Sequence, residues 1–173
     1  RQALDGLGSQ LDTMKDSENK SICSNPLMLS MVISLYKSGS GSLPSSRFDL
    51  YDKAVNTMLM RFDVKNIDEV RAQPFDRDAV ELLLAKLALH RHPTHDKDIS
   101  SETVEEVVRD DESLRLAWQH IKAQVVVGRF PILSCLDPSP LKLRFAHLSF
   151  QEFLVAKDWV RHHDEDKTRP FRL

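Results

Sequence analysis

Residues 128–154 read GRFPILSCLDPSPLKLRFAHLSFQEFL, and the hydrophobic period changes twice inside this stretch. Gly128 follows a helical pattern and predicts a left-handed helix cap, a backbone region that glycine enters without a Cβ penalty. Phe130 to Leu136 is then an apolar run of β character. Asp137-Pro138-Ser139-Pro140 is turn chemistry, and Leu141, Leu143 and Phe145 alternate with Lys142 and Arg144. The spacing predicts a β-hairpin with one face toward the core and one toward water. Its second strand runs directly into Ser149-Phe150-Gln151-Glu152, read as a capping box that opens a closing helix with Phe150, Phe153, Leu154 and Trp159 as core.

Upstream the period is helical. Leu114, Trp118, Ile121 and Val125 mark one helix, and Gly128 ends it. Ser100 can cap another, with Ile99 and Val104 as a hydrophobic staple and Val107 and Val108 facing inward. Val80, Leu83, Leu84 and Leu87 form a stripe from about Asp76 to His90, which Pro93 stops. Ser46 and Asp49 read as a capping box ahead of a stripe made by Tyr51, Val55, Met58, Leu59 and Phe62. Asn25-Pro26 opens the first clear helix. Leu27, Leu29, Met31, Val32, Ile33, Leu35 and Tyr36 leave it apolar nearly all round, so burial on most sides is expected. Ser38-Gly39-Ser40-Gly41-Ser42 is a flexible connector. The expected fold is mostly α: a helical subdomain over 1–42, then a winged-helix domain over 43–163 with one β-hairpin wing and a closing C-terminal helix. Residues 164–173 are a linker or the start of a following segment.

Composition narrows the function. Lys and Arg number 24 against 26 acidic residues, so no global cationic field exists to hold nucleic acid or an anionic membrane. Cys23 and Cys135 form no CxxC pair, which points to a reducing compartment rather than to a disulfide framework or zinc. The most apolar run, Leu27 to Tyr36, falls short of the roughly twenty residues a bilayer span needs. Arg1 to Lys20 is polar and mixed in charge, so it does not read as a targeting segment, and the missing initiator Met leads us to expect a piece of a longer chain. None of the glycines, at 6, 8, 39, 41 and 128, fits the P-loop pattern, and no nucleophile with its base is signalled, so no catalytic residue is assigned.

His90, His92 and His95 crowd one helix end beside Asp96 and Asp98, but flexible spacing and the absence of HExxH favour a solvated helix end over a metal site. Asp96 to Glu112 holds eight acidic residues against Lys97 and Arg109, a local net of −6. That run reads as a solvated face, and it would be repelled by the phosphates of DNA. His147 lies two residues before the expected start of the closing helix, where free amides and the positive end of the helix dipole make an anion site. Spacing alone leaves it between a structural residue and a phosphate contact.

Three segments taken together, ICSNPLMLSMV at 22–32, LPSSRFDLYDKAVNTMLMRF at 43–62 and LRFAHLSFQEFLVA at 143–156, resemble the C-terminal half of NACHT modules, signal-transduction ATPases of the STAND class found in NOD-like receptors. The resemblance implies a nucleotide-dependent switch. Pro26, with Leu27 beside it, would pack near the adenine, and His147 would reach the β-phosphate of bound ADP. Those contacts would hold the winged helix against a P-loop nucleotide-binding subdomain upstream in the same chain, which would also supply Mg²⁺. Exchange to ATP would release the winged helix and let the cytoplasmic protein form homo-oligomers, with a repeat domain following at the C-terminus. Two other functions remain from the residues themselves. One is a winged-helix nucleic-acid module using Lys142 and Arg144 as phosphate contacts. The other is a nucleotide-independent scaffold docking a partner through the acidic segment.

Overall fold

The computed structural model describes residues 25–37, 44–65, 75–92 and 97–168. The described residues are mostly helical, with six helices and a small antiparallel sheet among them, in the order α1 (Pro26–Lys37), α2 (Arg47–Lys65), α3 (Arg77–Arg91), β1 (Ile99–Ser100), α4 (Ser101–Val108), α5 (Glu112–Val126), β2 (Leu133–Pro138), β3 (Leu141–Phe145) and α6 (Leu148–Thr168). The chain divides into two compact units, Arg1–Arg61 and Phe62–Leu173. The connector at 38–42 and the helix stop at Pro93 lie outside the described residues.

In the first unit, α1 starts as its sequence requires. Asn25 Oδ1 accepts the Leu27 N–H at 2.9 Å and the Met28 N–H at 3.4 Å, and Pro26 takes the first helical position, where a missing N–H costs nothing. The burial differs from expectation. Only the stripe Met28, Met31, Val32 and Leu35 is buried, at i, i+3, i+4 and i+7, while Ile33 and Tyr36 on the opposite side are exposed. Arg61 of α2 reaches Ser34, donating to its Oγ at 2.9 Å and to its backbone carbonyl at 3.3 Å. At the start of α2 the Ser46 Oγ accepts the Asp49 N–H at 3.1 Å. The Asp49 carboxylate accepts the Ser45 N–H at 2.8 Å, so the reciprocal arm of the box reaches one residue further out than usual.

The second unit has the winged-helix order: helix, short strand, two helices, hairpin, closing helix. Its central helix is α3, which packs against α4, α5 and α6. Asp76 caps it by accepting the Ala79 N–H at 2.9 Å. The expected stripe of Val80, Leu83, Leu84 and Leu87 is buried, and Ala79, Ala85 and Ala88 widen the buried arc because small side chains let neighbouring backbones approach. Ser100 caps α4 through the Thr103 N–H at 3.3 Å, with Ile99 and Val104 both buried. Asp111 caps α5 through the Leu114 N–H at 3.1 Å. At the other end of α5, Gly128 takes φ +71°, its N–H donates to the Val125 carbonyl at 3.1 Å, and the Arg129 N–H donates to the Gln124 carbonyl at 2.8 Å. Those two bonds satisfy carbonyls that the last turn would otherwise leave open.

The hairpin is present with three corrections. The sheet has three strands in the order β1-β3-β2, because Ile99 pairs with Leu143 and Ser100 with Lys142. A two-residue strand carries no periodicity, so Ile99 reads in sequence only as part of a helix staple. Next, β2 starts at Leu133, not Phe130, and continues through Asp137 and Pro138, leaving Ser139 and Pro140 as the turn. Last, the register shifts between Cys135 and Asp137, which puts Leu136 in a bulge and exposes it. Leu143 and Phe145 face the core and Lys142 and Arg144 face water, as the alternation predicts. Phe130 packs edge-on to Phe62, with centroids 5.0 Å apart and planes at 85°.

Candidate functional site

The junction between β3 and α6 positions His147. The Ala146 N–H donates to the Ile132 carbonyl at 2.9 Å, tying down the end of the hairpin immediately before the helix. The helix then starts at Leu148, and the capping box expected at Ser149 to Glu152 does not start it: Ser149 and Gln151 already lie in the first turn, and Glu152 is exposed. The cap is His147 itself. Its Nδ1 accepts the Ser149 N–H at 3.2 Å, and its backbone carbonyl accepts the Phe150 N–H at 3.0 Å. A ring nitrogen two residues upstream of Ser149 reaches that amide as a serine or aspartate oxygen would.

Two chemical consequences follow. An accepting Nδ1 assigns the proton of the neutral ring to Nε2, so an exposed imidazole presents an N–H donor to solvent at the positive end of a 21-residue helix. The ring and carbonyl of His147 also use two of the first three helical amides, leaving the Leu148 N–H without a partner among the described residues. The junction therefore offers an anion two donors, His147 Nε2–H and Leu148 N–H, and not an open ring of free amides.

Pro26 and Leu27 belong to the first unit, and His147 belongs to the second. Pro26 is exposed at the start of α1 and Leu27 is half-buried. Of the histidines at the end of α3, His90 Nε2 lies 3.2 Å from Glu106 Oε2 and His92 is exposed, while His95 lies outside the described residues. Among the described residues no three His, Cys, Asp or Glu side chains come together as metal ligands. No described helix is long and apolar enough to cross a membrane.

The acidic run is distributed over separate local tasks. Asp111 caps α5, Glu106 faces His90, and Glu112 pairs with Arg115. Asp98 accepts from the Arg144 Nε at 3.0 Å and lies 3.8 Å from the Lys142 ammonium. The Arg144 hydrogen bond, helped by the charges of Arg144, Lys142 and Arg91, holds the Asp98 carboxyl below the usual carboxylate range against a smaller desolvation effect. Both wing cations thus share a carboxylate of their own chain, which reduces the charge they can offer to a nucleic-acid backbone.

One polar cluster escapes sequence reasoning. Glu81, buried in α3, lies 2.7 Å from the Lys157 ammonium and 3.0 Å from the Arg161 guanidinium, both on α6. Lys157 also sits 5.8 Å from the centroid of the Phe153 ring. The signal available in the sequence was a lone glutamate beside Val80 in a helix buried over a wide arc, since such a charge needs a partner. The partner itself, more than seventy residues away, is set by tertiary packing. Compared with protein-family models, with curated proteins and with solved structures, the chain matches none.

Proposed function

We propose that this chain is the helical and winged-helix part of a NACHT-type nucleotide switch, closing over ADP in a cytosolic signalling or defence protein. The observation that carries the reading is the exposed His147, whose Nδ1 caps α6 and so leaves Nε2–H as the donor of the neutral ring at that helix start. This donor set fits a phosphate oxygen at a helix N-terminus. ADP, when bound to a P-loop subdomain upstream, would supply the negative charge there, and Mg²⁺ would come with that subdomain. His147 would orient and hold the terminal phosphate of the diphosphate, while Pro26 and Leu27 would meet the adenine. A nucleotide that fits one domain arrangement better than the other shifts the population by that difference alone. Loss of the fit on exchange to ATP would free the winged helix and allow homo-oligomers to form, with C-terminal repeats carried along. Catalysis is assigned to no residue of this chain.

The test separates capping from phosphate binding. In the protein carrying the upstream subdomain, His147→Asn keeps a good helix cap but removes the Nε2–H donor. ADP release should accelerate about tenfold, the loss expected for a hydrogen bond to a charged group, and the oligomeric fraction without stimulus should rise. Release and assembly at wild-type levels in that variant would overturn the proposal.

A further inference from the structure

The tip of the hairpin carries a sequence that its fold does not require. Asp137-Pro138-Ser139-Pro140-Leu141-Lys142 turns the chain from β2 into β3, and Ser139-Pro140 is the only place in the sequence where a serine or threonine precedes a proline. Ser139 is exposed. Its backbone N–H donates to the Asp137 carboxylate at 2.9 Å, while its hydroxyl has no hydrogen-bond partner among the described residues. The backbone on either side is lightly held: Pro138 and Pro140 bring no N–H to the ladder, and the register already shifts between Cys135 and Asp137, so the tip can open without breaking the sheet behind it. Three residues beyond Ser139, the Lys142 side chain is 52% exposed. Its ammonium lies 3.8 Å from Asp98, a loose contact, because Asp98 is already held by the Arg144 Nε at 3.0 Å.

We infer that Ser139 is a phosphorylation site for a protein kinase that selects proline immediately after the acceptor and a cation two residues further on. A substrate lying extended in a kinase groove presents the backbone N–H of the residue after the acceptor. A groove with no acceptor for that N–H leaves it unpaired for every residue except proline, so Pro140 is favoured by the group it lacks. Lys142 then offers its positive charge to an acidic pocket. Residues 130–138 hold no Lys or Arg, which excludes kinases that read a cation on the upstream side. In the transfer, the Ser139 Oγ forms a bond to the γ-phosphorus of ATP as the bond from that phosphorus to the β,γ-bridging oxygen breaks. ADP leaves, and the hydroxyl proton passes to the base of the kinase. Asp98 and Asp137 balance Lys142 and Arg144 in charge, so a phosphate on Ser139 takes this neutral face to about −2. The inference is independent of the nucleotide reading of His147.

The test incubates the intact, folded protein with Mg-ATP and a purified proline-directed serine/threonine kinase that favours a cation at the position of Lys142, and maps phosphate by mass spectrometry of its peptides. One phosphate per chain, on Ser139, is expected. Ser139→Ala should carry none, and Lys142→Gln should lower the initial rate about tenfold, the loss expected for one charge-assisted contact. A kinase that reads arginine upstream of its acceptor should leave Ser139 unmodified. Absence of phosphate from Ser139 in the wild-type protein, or its appearance only on a free peptide spanning residues 133–145, overturns the inference. Equal rates for wild type and Lys142→Gln overturn the recognition through Lys142. The mapping on the wild-type chain needs no variant, so a substitution that fails to fold leaves the site itself decided.

Discussion

Replacing Glu81 by Gln should destabilise the winged-helix unit by about 3 kcal/mol. The pair that matters is Glu81 with Lys157: their side chains are 8% and 13% exposed, and oxygen and nitrogen lie 2.7 Å apart. At an effective dielectric of about 20 that separation gives roughly 6 kcal/mol of attraction, most of it offset by desolvating the two ions. Removing one partner loses the attraction but leaves the desolvation of the other, which is why breaking a buried pair costs about 3–5 kcal/mol. Glutamine can still accept a hydrogen bond from Lys157, which places it at the low end. Arg161, 56% exposed, adds less than about 1 kcal/mol, so Arg161→Ala should be mild. The double variant Glu81→Leu with Lys157→Met removes both ions and should lie near wild type. Both tryptophans, Trp118 and Trp159, belong to this unit, so urea unfolding followed by tryptophan fluorescence reports on it selectively. The same loss should lower the melting temperature by about 12 °C or more. Glu81→Gln within about 0.5 kcal/mol of wild type, or single losses that simply add in the double variant, would refute the buried-pair account.

Other predictions follow from single contacts. Gly128→Ala should cost about 1 kcal/mol, because φ is +71° and an added Cβ meets nothing within 4 Å, so the whole penalty is backbone strain. A larger loss in urea titration would mean a contact is missing from that account. His147→Ala should cost about 1 kcal/mol as a lost cap while His147→Asn stays near wild type, and equal losses in thermal melts would reject the capping role. Asp98 has a folded pKa below its ordinary 3.8, so it stabilises the native state above that pH, and the contribution is lost as pH falls through the lowered value. Asp98→Asn should therefore be less stable than wild type at neutral pH, with the gap closing below pH 3.8. A gap that persists unchanged into strong acid would contradict the linkage.

The candidate site was legible only in part. The junction of an alternating strand and a helix put His147 near a helix start, but the boundary came two residues early because an imidazole can cap, which capping statistics built on serine, threonine and aspartate do not anticipate. Gln151 looked like a capping residue from its spacing to the helix start, and its place inside the first turn of a helix that starts at Leu148, buried, changed that reading. The apolar residues of α1 predicted burial on most sides, whereas hydrophobicity reports what a face tolerates and packing decides which face is covered.

Local chemistry in the chain settled the helices, their caps at Asn25, Ser46, Asp76 and Ser100, the glycine stop at Gly128 and the two-faced hairpin. Each of these is decided within one or two turns of backbone by periodicity and short-range hydrogen bonds. Only the tertiary structure decided that Ile99 joins the sheet, that Glu81 receives Lys157 and Arg161, and that Asp98 gathers the wing cations. Those pairings close long loops between residues with no local preference for one another, so they are selected by the burial of the whole core.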